Sequence, residues 1–72
     1  MSHPITIVVN GVEQDAEADW TLLDLLAALD IDPELGGVAV AVGLKVVPRS
    51  AWASTRLNPS DEVEIIRATA GG

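Results

Sequence analysis

The sequence predicts an α+β fold in which a mixed sheet of about five strands carries one main helix on one face. Three observations predict this class. Short segments rich in β-branched residues recur between turn signals, and one segment alone has leucines at helical spacing. The chain has 72 residues, enough for one hydrophobic core, so we expect a single domain over residues 1–72.

The first predicted element is a β-hairpin. The stretch ITIVV, Ile5 to Val9, consists of β-branched residues, which favour strands. The dipeptide Asn10-Gly11 is a two-residue turn signal that supplies two positive φ angles, and VEQDAEA follows it. We therefore expect VEQDAEA to return as an antiparallel strand.

The second predicted element is the helix, in the segment LLDLLAAL. Thr21 is placed to cap its N-terminus, with Asp24 three residues later in a weaker form of the capping box, and Trp20 can pack against Leu25. The helix is expected to stop near Asp30, because Pro33 disfavours helical geometry at the residue before it. The apolar stripe of this helix comprises Leu22, Leu25, Leu26 and Leu29.

Two further strands are expected after the helix. The stretch VAVAV, Val38 to Val42, carries no charge and is typical of an inner strand. Gly43 and Leu44 then form a tight turn into KVVP, in which Pro48 ends the pairing or lies at an edge. The fourth strand is therefore short.

The last strand is predicted in EVEIIRA, after an irregular connection and a turn signal, NPSD. The connection RSAWASTRL is expected to hold Trp52 in a short helical turn, at the margin of the core. Alternation along the strand places Val63 and Ile65 on one face and Ile66 on the other.

The order of these elements predicts a β-grasp roll. One helix covers only one face of a sheet, and the last strand is expected to lie parallel to the first. The crossover from the hairpin to the third strand is expected to be right-handed. Residues 67–72 would then leave the sheet as a flexible tail. Its last five residues have small side chains and reach about 16 to 18 Å when extended, enough to thread into a narrow tunnel of another protein: Ala68, Thr69, Ala70, Gly71 and Gly72.

The charge of the chain restricts its partners. The formal net charge is −7, which disfavours nucleic acids, and eight of the eleven acidic residues lie at or before Glu34. This asymmetry has two interpretations: a solvated acidic face, or attraction to a basic protein partner. The N-terminal segment is unlike a signal peptide and no run is long enough to span a membrane, so a cytoplasmic protein with no membrane partner is expected.

The sequence offers little catalytic chemistry of its own. It has no cysteine, and its single histidine, His3, has no neighbours at the spacing of metal ligands, so we expect neither a metal site nor a bound cofactor. The terminal carboxylate becomes reactive only if a partner exchanges one of its oxygens for a leaving group such as AMP from ATP. No catalytic side chain is needed for that role.

Two stretches, AVAVGLKVVPRSAW (residues 39–52) and DEVEIIRATAGG at the C-terminus, together with the helix start TLLDLL, resemble the ThiS family of sulfur carriers in thiamine biosynthesis. The resemblance implies a β-grasp fold and adenylation of Gly72 by an ATP-dependent, E1-like enzyme of the ThiF type. It also implies conversion to a thiocarboxylate with sulfur from a persulfide donor, and delivery to a ThiG-type thiazole synthase. Gly71 would be the threading neighbour. Many relatives have Asn in place of Gly43, and usually a polar residue or glycine in place of Leu44.

A partner interface is predicted around Ile66. Alternation exposes this residue on the uncovered face of the sheet, and an apolar patch results if it lies beside Val8 or Val47. Arg49 is expected to pair either with an acidic neighbour or with the partner.

Two other classes of function remain open at this point. The same carboxylate chemistry could serve another pathway, such as molybdopterin synthesis or ubiquitin-like conjugation. Alternatively, the glycines could be inert, and the chain a non-covalent binding module.

Overall fold

The computed structural model describes residues 3–34 and 36–68, which form a five-stranded sheet, one α-helix and one turn of 3₁₀ helix. No helix in these ranges is both long enough and apolar enough to cross a membrane. The elements are β1 (Pro4–Val9), β2 (Val12–Glu17), α1 (Leu22–Ala28), β3 (Val38–Val42), β4 (Lys45–Val47), the 3₁₀ helix η1 (Arg49–Ala51) and β5 (Glu62–Arg67).

The strand order in the sheet is β2-β1-β5-β3-β4, which confirms the predicted β-grasp arrangement. The first and last strands lie parallel at the centre, and the other strand pairs are antiparallel. β1 and β5 overlap over only two register pairs, Val8 with Glu62 and Val9 with Val63. The second half of β5 therefore extends beyond the end of β1, toward the C-terminus.

The helix begins with the predicted capping box. The Thr21 backbone N–H donates to Asp24 Oδ2 at 2.9 Å, and the Asp24 N–H donates to Thr21 Oγ1 at 3.4 Å. Each side chain thus satisfies a backbone donor that the first helical turn leaves without a partner.

The helix ends for a different reason from the one predicted. α1 stops at Ala28, and Asp30 adopts a φ of +64°. The Ile31 N–H donates to the carbonyl oxygen of Leu26 at 2.8 Å, and the Asp30 N–H donates to that of Ala27 at 3.1 Å. These two bonds form a Schellman motif, which ends the helix before Pro33 has any influence.

The core lies between α1 and one face of the sheet. The helix contributes three of the predicted leucines, and a fourth, Leu29, is partly buried. Trp52 is only 1% exposed, so it belongs to the core and not to its margin, whereas Trp20 is partly buried. The buried residues are Ile7, Ala16, Leu22, Leu25, Leu26, Ile31, Val40, Trp52, Leu57, Val63 and Ile65.

Candidate functional site

The face of the sheet turned away from α1 is uncovered in the described structure, and we call it the open face. Strand alternation and cross-strand register define it: Ala39 pairs with Ile66, and Ala41 pairs with both Glu64 and Val46. The strand positions on this face are Pro4, Thr6, Val8, Glu13, Asp15, Glu17, Ala39, Ala41, Val46, Glu62, Glu64 and Ile66.

One half of the open face is apolar. Ile66 is 63% exposed, as predicted, and Val46 is 76% exposed. The small side chains of Ala39 and Ala41 lie between them across β3. We call these four residues the apolar patch. Large apolar side chains exposed together mark a contact surface more often than single exposed ones do.

The structure corrects the predicted place of Val47. Val47 pairs with the buried Val40 and packs against the core, so it lies on the covered face. Its neighbour Val46 takes the outward position that had been expected of Val47. The sequence holds the signal for this, because a two-residue turn at Gly43-Leu44 sets Val46 opposite Ala41.

Val8 does lie on the open face, but not beside Ile66. It is half-buried and pairs with Glu62, which is four residues before Ile66 on β5. Four residues of strand span about 13 Å. Val8 is therefore separate from the apolar patch.

The other half of the open face is acidic. Five carboxylates occupy its strand positions on β2 and β5, and the two basic residues within strands, Lys45 and Arg67, fall on the covered face by alternation. We call this set the acidic band: Glu13, Asp15, Glu17, Glu62 and Glu64. Within 3–34 and 36–68, no three histidine, aspartate or glutamate side chains are grouped so that they could hold a metal ion.

Arg49 lies over an aromatic ring of the core. Its guanidinium carbon is 4.9 Å from the centroid of the Trp52 ring, and the Trp52 indole N–H donates to the Val47 carbonyl oxygen at 2.8 Å. These contacts place Arg49 on η1, over the core ring that bonds the Val47 backbone. The structure thus does not bring the four predicted interface residues into one surface.

The C-terminal end of β5 is held more firmly than predicted. Arg67 is the last residue of β5 and pairs with Val38, and the Ala68 N–H donates to the Gly37 carbonyl oxygen at 2.7 Å. Arg67 is therefore paired in the sheet, as the predicted strand EVEIIRA requires, and Ala68 is bonded to the residue before β3, so these two residues of the predicted tail 67–72 are tied to the sheet. The remaining predicted tail residues, Thr69, Ala70, Gly71 and Gly72, lie outside the described residues.

Comparison with known proteins gives matches over nearly all of the chain. Residues 4–72 match the ThiS family. A protein of Paramagnetospirillum magneticum (strain ATCC 700264 / AMB-1) named thiazole synthase is 36% identical over 66 residues. That match covers 92% of this chain but 20% of the relative, so the chain spans about a fifth of that protein's length.

Solved structures agree with the family match. The crystal structure of the thiamine biosynthesis protein ThiS from Geobacter metallireducens superposes with a TM-score of 0.77 at 26% identity, over 94% of this chain and all of that one. A solution structure of a thiamine biosynthesis protein from the same organism gives a TM-score of 0.76 at 26% identity, over 94% of this chain and 88% of that one. The family match and the structural likeness agree, and the chain belongs to the ThiS family.

Proposed function

We propose that this chain is a sulfur carrier of thiamine biosynthesis and that the carboxyl group of Gly72 carries the sulfur. The observation that carries the proposal is the family match over residues 4–72, a range that includes both terminal glycines. The likeness to the thiamine biosynthesis protein of Geobacter metallireducens supports the same assignment. In this role the chain is a substrate of other enzymes and needs no catalytic side chain or bound cofactor of its own.

The proposed chemistry starts from the ionised carboxylate of Gly72, which is a poor electrophile. One carboxylate oxygen attacks the α-phosphorus of ATP and pyrophosphate leaves, so that an acyl adenylate forms on the activating enzyme. The terminal sulfur of a persulfide donor then attacks the acyl carbon, and AMP leaves with the oxygen, which gives an acyl disulfide. A thiol attacks the donor's sulfur in that disulfide, becomes disulfide-bonded to it, and releases the thiocarboxylate.

The activating enzyme in this proposal is an E1-like adenylyltransferase of the ThiF type, docked on the open face. The apolar patch offers Ile66 and Val46 as exposed anchors, on the same face as the acidic band. The complementary surface of the partner would have an apolar area facing the apolar patch and, beside it, a strip of basic residues facing the acidic band. Because the acidic band would contribute by long-range attraction, the association rate is expected to fall as salt is raised.

The proposed acceptor of the sulfur is a ThiG-type thiazole synthase. A region similar to this chain occurs within a protein of that name, at 36% identity. This observation favours thiazole formation over molybdopterin synthesis or protein conjugation.

Intact-protein mass spectrometry tests the proposal. The chain is incubated with a ThiF-type enzyme, ATP and a persulfide donor, and we expect the mass increase that replacement of one oxygen by sulfur produces. Fragmentation should locate the change at Gly72, and a variant without Gly72 should show none. A binding module with inert glycines would bind the enzyme but keep its mass, and that result would overturn the proposal.

A further inference from the structure

The described part of the β3–β5 ladder continues one residue beyond both strands. Val38 and Arg67 form the terminal strand pair, and the next residues, Gly37 and Ala68, are joined by the 2.7 Å hydrogen bond between the Ala68 N–H and the Gly37 carbonyl oxygen. Ala68 is also the residue from which the chain continues to Gly72. The contact therefore lies at the base of the segment that the proposed function uses.

Gly37 has two separate reasons to be glycine. Its φ is +83°, in a region that residues with a Cβ rarely adopt. In addition, a Cβ at this position would lie 3.0 Å from the Ala68 Cβ and 3.3 Å from the Ala68 carbonyl oxygen. A side chain here would strain its own backbone and also push Ala68 away by a few tenths of an ångström.

Two other described glycines show that a positive φ and a close neighbour are independent reasons. Gly11 has nearly the same φ, +84°, but a Cβ there would meet nothing within 4 Å. Gly36, directly before Gly37, has neither a positive φ nor a neighbour within that distance. Among the glycines in residues 3–34 and 36–68, close approach to the C-terminal segment is thus specific to Gly37.

We propose that Gly37 is a positioning residue that fixes where, and in which direction, the chain leaves the sheet toward Gly72. The proposal rests on the function proposed above. Gly72 lies four residues after Ala68, and four residues reach at most about 14 Å. With so short a reach, displacement of Ala68 changes where the carboxyl group can be presented while the open face stays docked. Misplacement of a reacting group by about 1 Å can cost a factor on the order of 100 in rate.

The experiment compares Gly37→Ala with Gly11→Ala as substrates of a ThiF-type enzyme, by ATP–pyrophosphate exchange. Both variants place a Cβ at a φ near +84°, so both should lose unfolding free energy, and Gly37→Ala should lose more because its Cβ also meets Ala68. We expect kcat to fall about three- to tenfold for Gly37→Ala, with KM changed less than about twofold, and neither constant to change for Gly11→Ala. Gly36→Ala serves as a second, neighbouring control and should behave as wild type.

A double variant supplies the rescue. Gly37→Ala combined with Ala68→Gly removes the 3.0 Å contact between the two Cβ atoms but keeps the unfavourable φ. We expect it to recover much of kcat, whereas the stability lost to the unfavourable φ should not return. An unchanged kcat in Gly37→Ala, or an equal fall in Gly11→Ala, would overturn the proposal.

Hydrogen exchange at the Ala68 amide tests the contact without any partner enzyme. Exchange should accelerate at least about tenfold in Gly37→Ala and not in Gly11→Ala. If Ala68 exchanges at the wild-type rate in Gly37→Ala, the positioning role fails even where charging of Gly72 is observed. If the wild-type chain is never charged, the proposed function fails instead, and the Ala68 exchange rate still decides whether the contact exists.

Discussion

The side-chain amide of Asn10 pairs with both backbone groups of Ile65. Asn10 Oδ1 accepts the Ile65 N–H at 2.8 Å, and Asn10 Nδ2 donates to the Ile65 carbonyl oxygen at 3.1 Å. The Asn10 backbone N–H also donates to the Val63 carbonyl oxygen at 2.9 Å. Asn10 thus lies in the turn of the hairpin, and its side chain extends the hydrogen bonding between β1 and β5 by one residue beyond the end of β1.

Loss of the Asn10 side chain should lower the free energy of unfolding by about 1 to 3 kcal/mol, because two partly buried backbone groups lose their partners. Asn10→Gly is the appropriate change, since glycine tolerates the φ of +50° found here. Urea unfolding measures the effect. Gln14→Ala is the control: Gln14 is partly buried, but its amide makes a solvent-exposed hydrogen bond to the neighbouring Asp15 carbonyl, so a change within about 0.5 kcal/mol is expected. Equal losses in both variants would contradict this role.

Adjacent valines of β4 should respond in opposite ways to the same substitution. Val46→Asp places a charge at a position that is 76% exposed, so it should leave the melting temperature nearly unchanged and weaken binding to the activating enzyme roughly tenfold. Val47→Asp buries a charge against the core and should cost about 2 kcal/mol or more of stability. Calorimetry gives both quantities.

Ile66→Asp, on the same patch as Val46, should likewise reduce binding and spare stability. The double variant Val46→Asp, Ile66→Asp tests whether the two act on one partner surface. If Val46→Asp unfolds the protein, or if binding is unaffected by either open-face change, the assignment of the apolar patch is wrong.

Leu44 combines exposure with an unfavourable backbone. It is 94% exposed at the β3–β4 turn and has a φ of +73°, which a bulky residue rarely adopts. Leu44→Asn should raise the free energy of unfolding by about 0.5 to 1 kcal/mol, and the melting temperature by several degrees, because Asn tolerates this geometry. Leu44→Ala removes the same apolar surface but has no polar side chain to hydrogen-bond the local backbone at this φ, so it should give no such gain. An equal gain in both variants would show that it comes from removing the exposed leucine side chain and not from relieving the unfavourable backbone φ.

Local chemistry explains which parts of this fold are predictable from sequence. The Asn10-Gly11 turn needs two positive φ angles, and the structure has +50° and +84° there. The capping box of Thr21 and Asp24 spans three residues and forms as predicted. The alternation in EVEIIRA correctly predicts that Ile66 is exposed and that Ile65 is buried. Each of these signals acts within a few neighbouring residues.

The features that sequence reasoning misses depend on contacts between distant residues. The bonds from Asn10 to Ile65 join positions 55 apart, and the hold of Gly37 on Ala68 depends on the β3–β5 register. Gly37 alone predicts a turn and nothing about the C-terminal segment. The wrong face predicted for Val47 has a local cause instead: the two-residue turn at Gly43-Leu44 sets the register of β4, and one residue of register inverts every side chain of a strand.

Trp52 is buried in the core and its indole N–H has a backbone partner, so the effect of replacing it with a smaller ring can be predicted. Trp52→Phe removes the indole N–H that donates to the Val47 carbonyl oxygen at 2.8 Å, and it leaves a cavity at a position 1% exposed. We expect a loss of about 2 to 4 kcal/mol of unfolding free energy. Trp20→Phe is the matched control, because Trp20 is only partly buried, and it should cost about 1 kcal/mol or less. Far-ultraviolet circular dichroism should follow the urea unfolding, since both changes alter tryptophan fluorescence itself. Equal costs for the two substitutions would show that the Trp52 hydrogen bond and its burial contribute nothing beyond an ordinary apolar contact.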